Sequence, residues 1–120
     1  MSQTNADAMR EIFLRATDGT AEGVAAAAAL IAEDARIWQQ GAGWMSKADK
    51  VAAWSRTRGA PMATEIRSLV ASGDRVAVEA TVAAPAGEIL VAVFAVFRGG
   101  QLVSEREYFP PAPPAEVFAG

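Results

Sequence analysis

The stretch Glu88–Phe109, EILVAVFAVFRGGQLVSEREYF, decides how the chain is read. It holds two strand-like runs joined at Gly99-Gly100, and a glycine pair supplies the positive φ angles that a tight hairpin turn needs. The first run, Ile89 to Phe97, is apolar at every position, so both of its faces are expected to be covered. The second run alternates. Val103, Glu105, Glu107 and Phe109 fall on one side, and Leu102, Ser104, Arg106 and Tyr108 on the other. A covered strand beside one that aims carboxylates at a single face predicts a sheet with a functional interior.

Upstream of this hairpin, the turn signals Gly73-Asp74 and Pro85-Ala86-Gly87 separate two further strands, at about 62–72 and 75–83. Four antiparallel strands therefore follow one another. The earlier half is helical. Asn5 is expected to cap a helix over 6–17, with Met9, Ile12, Phe13 and Ala16 on one face. Thr20 caps a second helix over 21–33, which contains the strong helix former Ala25–Leu30. A short strand at 35–39 and a loop at 40–45 lead to Ser46-x-x-Asp49, a capping-box pattern with Asp in the acidic place. This opens a third helix over 47–58, carrying Val51 and Trp54 inward and ended by Gly59, Ala60 and Pro61. Three helices followed by a meander predict an α+β fold, with the helices gathered on one face of a curved sheet. The Pro-rich tail, residues 110–120, cannot continue that sheet.

Composition sets the outer limits. At 120 residues, 52% of them hydrophobic, the chain is expected to form a single domain over 1–120 with a sizeable core. No run reaches the roughly 18–20 apolar residues of a membrane span. The start, MSQTNADAMREI, shows no basic region followed by an apolar one, so a cytoplasmic protein without a leader is expected. Eleven basic residues face 14 acidic ones with no Lys/Arg stripe, which disfavours nucleic acid as a partner. There is no cysteine and no histidine. That excludes disulfides, a thiolate nucleophile, a Ser-His-Asp triad and imidazole metal ligands. The acidic spacing offers no converging carboxylate set for a metal, and Gly41-x-Gly43 lacks the strand and helix of a dinucleotide fingerprint. Acid–base chemistry near pH 7 then falls to Asp, Glu, Tyr, Lys or water, and a carboxylate would need burial to raise its pKa.

In order and spacing, four patterns resemble the nuclear transport factor 2-like superfamily and its SnoaL-like branch. They are an aliphatic helix running into AEDARIW, a Trp/Gly loop leading to a helix with an inward Trp54, the strand GDRVAVEATV, and VAVFAVFRGGQLVSEREYF. The resemblance implies a cone-shaped half-barrel whose concave side, roofed by the three helices, encloses an apolar pocket for a small cyclic or polyketide-like molecule. It also implies a homodimer through the outer face of the sheet, and chemistry without a cofactor. Relatives include ketosteroid isomerases, polyketide cyclases, limonene epoxide hydrolases and scytalone dehydratases.

Carried over residue by residue, the resemblance is partial. The isomerase base falls on Gln39, and an amide abstracts no proton. The acid of the cyclases falls on Pro110. The epoxide hydrolase set puts one acid on Glu107, but its Arg and second Asp fall on Ala80 and Val82, and its water-holding pair on Trp38 and Gln40. The resulting candidates are Glu107 as acid–base group and Gln39 and Gln40 as positioning groups. Trp38, Trp44, Trp54 and Phe13 are the expected pocket walls, with core packing as the other reading for the tryptophans. Pairing with an Arg of a neighbouring strand is the alternative for Glu107, and Glu105 is read as the partner of Arg67 or Arg98. Glu79 is placed on the outer face, beside Arg106 or at a dimer contact, with a carboxylate pair to Glu107 as its second reading. Asp34 is read as a local backbone cap, and Tyr108 as facing away from the pocket. The functional readings left open are an isomerase, dehydratase or epoxide hydrolase on one side, and a non-catalytic ligand-binding or dimerisation module on the other.

Overall fold

The computed structural model describes residues 4–56, 59, 62–84 and 87–109. Three helices, α1 (Asn5–Ala16), α2 (Ala21–Ala29) and α3 (Lys47–Ser55), lie against six strands. These are β1 (Ile31–Gln39), β2 (Gly43–Met45), β3 (Ala63–Ser72), β4 (Arg75–Ala84), β5 (Gly87–Arg98) and β6 (Gln101–Tyr108). The strands form one open sheet in the order β2-β1-β6-β5-β4-β3. The expected α+β cone is therefore present, with the long meander β3 to β6 making up four of its six strands and β3 at one edge. The expected gap at Pro110, the 110–120 tail, the Pro85-Ala86 turn residues and the Ala60-Pro61 stop lie outside the described residues.

Local chemistry fixes the helix starts. Thr20 accepts from the Gly23 amide, and Ser46 and Asp49 close a full capping box. At α1 the cap is Thr4, whose side chain accepts from the Asp7 amide, rather than Asn5. Asn5 is the first helical residue and donates to the Gly73 carbonyl at 3.2 Å. The larger departure is at the end of α2. Helix propensity carries 21–33, yet the helix stops at Ala29 and 31–39 is strand. Pairing with β6 overrides propensity here. Ile31 lies opposite Leu102 at 1% exposure, and the Leu102 amide donates to the Leu30 carbonyl at 2.8 Å. β1 runs parallel to β6, which makes the sheet mixed. Asp34, expected as a local backbone cap, consequently sits exposed in mid-strand rather than at a helix end.

The core lies between the concave face of the sheet and α1 and α2. Met9 and Ile12 pack onto Val76, Val78, Val93 and Phe97 in a single cluster. The buried set on β5 is Val91, Val93, Ala95 and Phe97, strictly every second residue. On the other face of β5, Leu90 and Phe94 are exposed, with no cover from the described residues. On β6 the alternation breaks. Val96 pairs with Ser104 but Phe97 pairs with Leu102, so Val103 is an extra residue. The bulge brings Leu102, expected on the opposite side, onto the face that carries Glu105 and Glu107.

One close approach sets how α1 and α2 meet. Gly23 lies in the first turn of α2, and a Cβ there would collide with the Asp18 carboxylate and the Arg15 carbonyl. In an open helix Gly→Ala gains about 0.5–1 kcal/mol. Here the sign reverses. Gly23→Ala is expected to cost about 1–3 kcal/mol by overpacking, read as a lowered urea midpoint at unchanged m.

Candidate active site

Three elements converge at one end of the concave face. On β6, Glu105 and Glu107 point the same way because they are two residues apart and lie beyond the bulge. On β1, Gln39 is the register partner of Glu107. Above them runs α3, where Lys50 and Trp54 are one turn apart and share a face. Lys50 is the only fully buried residue of that helix.

The contacts are short and polar. Lys50 Nζ donates to Glu107 Oε2 at 2.6 Å and to Gln39 Oε1 at 3.2 Å. The Lys50 and Glu107 side chains are 7% and 12% exposed, so this ion pair is largely removed from water. The Trp54 ring lies 5.9 Å from Nζ, within cation–π reach. Glu105 is 6% exposed and hydrogen-bonded to Glu107. Its carboxyl is pushed up to about 7, first by burial and then by the negative charge of Glu107, with Lys50 pulling the other way. A proton shared between two buried carboxyls can be given or taken near neutrality, and the adjacent ammonium can meet negative charge that develops on a bound molecule.

These groups form the polar end of a cavity of about 250 Å³. Its walls are otherwise apolar. Ile12, Phe13 and Ala16 come from α1, and Ala53 and Trp54 from α3. Val82, Ile89, Val91 and Phe109 complete the sheet side. Thr17 and Thr64 bring hydroxyls to the lining, 3.0 Å from each other. No group of three or more metal-ligating side chains occurs among the described residues.

The structure sorts the expected site residues. It brings together Glu107, Gln39, Trp54 and Phe13. Glu105, read as a partner of Arg67 or Arg98, joins them instead. Glu107 pairs not with an Arg but with Lys50. Trp38 and Trp44 do not reach the cavity, a correction that follows from strand parity. Gln39 faces in, so its neighbour Trp38 faces out and packs on Tyr108 at 5.2 Å. Trp44, paired with Trp38 across β1 and β2, lies 51% exposed beneath the Arg36 guanidinium at 4.5 Å. Gln40 also misses the cavity. Its Oε1 accepts from the Phe109 amide at 3.0 Å and its own amide donates to the Glu107 carbonyl, so it splices β1 to the end of β6. Glu79 is exposed on β4, opposite Ala92 and away from the cavity. Tyr108 faces outward, as expected. Sequence reasoning missed Lys50. The available signal was its spacing from Trp54, which puts a lysine on the inward face of α3.

No curated protein matches the sequence. Solved structures share the fold at low identity. An NTF2-like protein of unknown function from Cytophaga hutchinsonii ATCC 33406 superposes with a TM-score of 0.77 at 14% identity, covering 98% of this chain and 97% of that one. An LEH-like epoxide hydrolase from M. tuberculosis gives 0.71 at 20%, covering 88% and 82%. A hypothetical protein with a ketosteroid isomerase-like fold from Catenulispora acidiphila DSM 44928, in complex with trimethylamine, gives 0.70 at 22%, covering 88% and 86%. These neighbours show the shared fold, and a family model described as a SnoaL-like domain matches residues 6–105, most of the chain, so the protein belongs to the SnoaL-like domain family.

Proposed function

We propose that this protein is an acid–base enzyme that moves a proton on a small, mostly apolar molecule, using its own side chains. The observation that carries the reading is the buried Glu105–Glu107 carboxyl pair, with Lys50 and Gln39 at the one polar end of an apolar cavity. Glu105 is the proton-transfer group, and Glu107 and Lys50 set its charge environment. The apolar walls and the size of the cavity suit a small cyclic or polyketide-like substrate with one oxygen function directed at the carboxyls. Isomerisation or dehydration next to a carbonyl, or opening of an epoxide, needs this kind of proton transfer.

A second proposal concerns assembly. Val70, Phe94 and Trp44 are 63%, 56% and 51% exposed on the outer side of the sheet, beside the half-buried Trp38 and Tyr108. An apolar, aromatic sheet face of this kind is suited to a second copy of the chain. Light scattering at micromolar concentration is expected to give twice 12.5 kDa, and Phe94→Asp to give 12.5 kDa. A wild-type mass of 12.5 kDa would remove the proposal.

Glu105→Gln tests the catalytic reading with two readouts. Deuterium exchange at the α-carbon of small cyclic ketones, followed by NMR, is expected to fall by about 10²–10⁴-fold. Exchange at the wild-type rate would refute the role of Glu105. The second readout is stability against pH. The folded carboxyl sits at about 7 against 4.5 unfolded, so the folded state binds the extra proton between those values. The contribution of this group is therefore full below 4.5 and is lost as pH rises through about 7. That loss is on the order of 3 kcal/mol in the wild type and absent in Glu105→Gln, which should have the higher urea midpoint at pH 8.

A further inference from the structure

The cavity contains a second kind of reactive group that acid–base chemistry alone does not use. Lys50 carries a primary amine, and it is the one basic side chain among the described lining residues. Among the described residues its Nζ donates hydrogen bonds to Glu107 and Gln39, whereas an ammonium has three N–H groups to give. The residue type is also informative. The chain has nine arginines and only two lysines, Lys47 and Lys50. A guanidinium fork would hold two neighbouring carboxyls better than an ammonium does, by paired hydrogen bonds, and it would keep its proton. At this position the chain instead has an amine that can lose a proton and act as a nucleophile, with a carboxylate 2.6 Å away to receive it.

We propose that Lys50 forms a reversible imine with aldehydes or ketones that enter the cavity. The proposal rests on the same cavity as the acid–base reading and adds a covalent step to it. The Lys50 ammonium passes a proton to Glu107, and the free amine attacks the carbonyl carbon. As the C–N bond forms, the C=O π pair moves to oxygen, which takes the proton of Glu105. The nitrogen then returns one proton to Glu105, leaving a neutral carbinolamine. Glu107 gives its proton to the hydroxyl, the C–O bond breaks, and water leaves as the nitrogen lone pair forms the C=N bond. The sum is ammonium plus carbonyl giving iminium plus water, with both carboxyls restored to their starting protonation. Gln39 Oε1, 3.2 Å from Nζ, holds the nitrogen in place through the sequence. Phe13 and Trp54 offer an apolar seat for the rest of the molecule.

The test uses the full-length protein, benzaldehyde and sodium cyanoborohydride, which would reduce an iminium to a stable benzylamine. Intact mass and peptide mapping are the readouts. The expected result is one benzyl group per chain, on Lys50, formed at least ~10-fold faster than on Lys47, because the cavity holds carbonyl and amine together. Lys47 is the internal reference: its Nζ is tied to the Ile31 carbonyl and the Glu33 carboxylate outside the cavity. Lys50→Arg, which keeps the charge beside Glu107, should abolish the fast label while leaving the slow one. Mapping the wild type needs no variant, so a folding defect in Lys50→Arg cannot hide the outcome. Equal labelling of Lys47 and Lys50, or none on Lys50, would overturn the imine. Ketone exchange that persists without Lys50 labelling would overturn the imine alone, whereas wild-type exchange in Glu105→Gln would overturn the acid–base reading instead.

Discussion

The ion pair between Lys50 and Glu107 is the constraint on which the site depends. It joins α3 to β6, and through Gln39 it also ties in β1. Charges removed from water repay their desolvation only when each finds partners of good geometry, and losing one partner costs about 3–5 kcal/mol. A pair of well-packed apolar residues would hold α3 as firmly. Yet α3 buries no residue fully except Lys50. Its half-buried Trp54 packs on the core, yet the one fully buried side chain of the helix is a lysine, and what that brings is an amine beside two carboxyls inside an apolar cavity. The arrangement makes chemical sense where its purely structural value is small.

Glu105 follows from the same constraint. Lys50 is bonded to Glu107, not to Glu105, so among the described residues the second carboxyl has burial and a negative neighbour but no direct ion pair. Those are the conditions that hold a proton on a carboxyl. The bulge at Val103 sets this up. Without the extra residue, Leu102 and Glu105 would lie on opposite faces, since they are three positions apart. With it, one strand supplies both the apolar floor at Leu102 and the carboxyls beyond it.

Much of this was legible in the sequence, and the parts that were not share a cause. The caps at Thr20 and Ser46, the Gly99-Gly100 turn and the two-residue period of β5 are local, and each reads correctly from neighbours. Ile31–Glu33 reads as helix because propensity is local too, while its strand conformation comes from β6, some 70 residues away in the chain. The inward turn of Glu105 and Glu107 was visible from alternation. The Val103 bulge was not, because it exists only in the pairing with β5. Trp38 and Gln39 are adjacent, so assigning a pocket to both contradicts strand parity, and one of them had to face out. Glu105 was sent to an arginine because sequence shows which residues share a face but not which cation lies above that face. Lys50 answers that question from a helix 55 positions before Glu105.

β6 also links the two faces of the sheet. Its inward residues are the carboxyls, and its outward ones are Arg106 and Tyr108, which flank Glu107 in sequence. Tyr108 is gripped by Trp38 of β1 at 5.2 Å and Phe94 of β5 at 6.1 Å, so an aromatic row spans all three central strands from behind. Arg106 lies 5.8 Å from the Trp44 ring, which extends the row to β2. Gln40 closes the end of β6 with two hydrogen bonds, one to each side of Tyr108. The backbone under Glu107 is thus fixed from the outside as well as by Lys50 within. Proton transfer between groups at hydrogen-bond distance tolerates little displacement, so rigidity behind the strand serves the geometry in front of it. Trp38 and Gln40 therefore act on the site from the far side of the sheet, as supports rather than as walls.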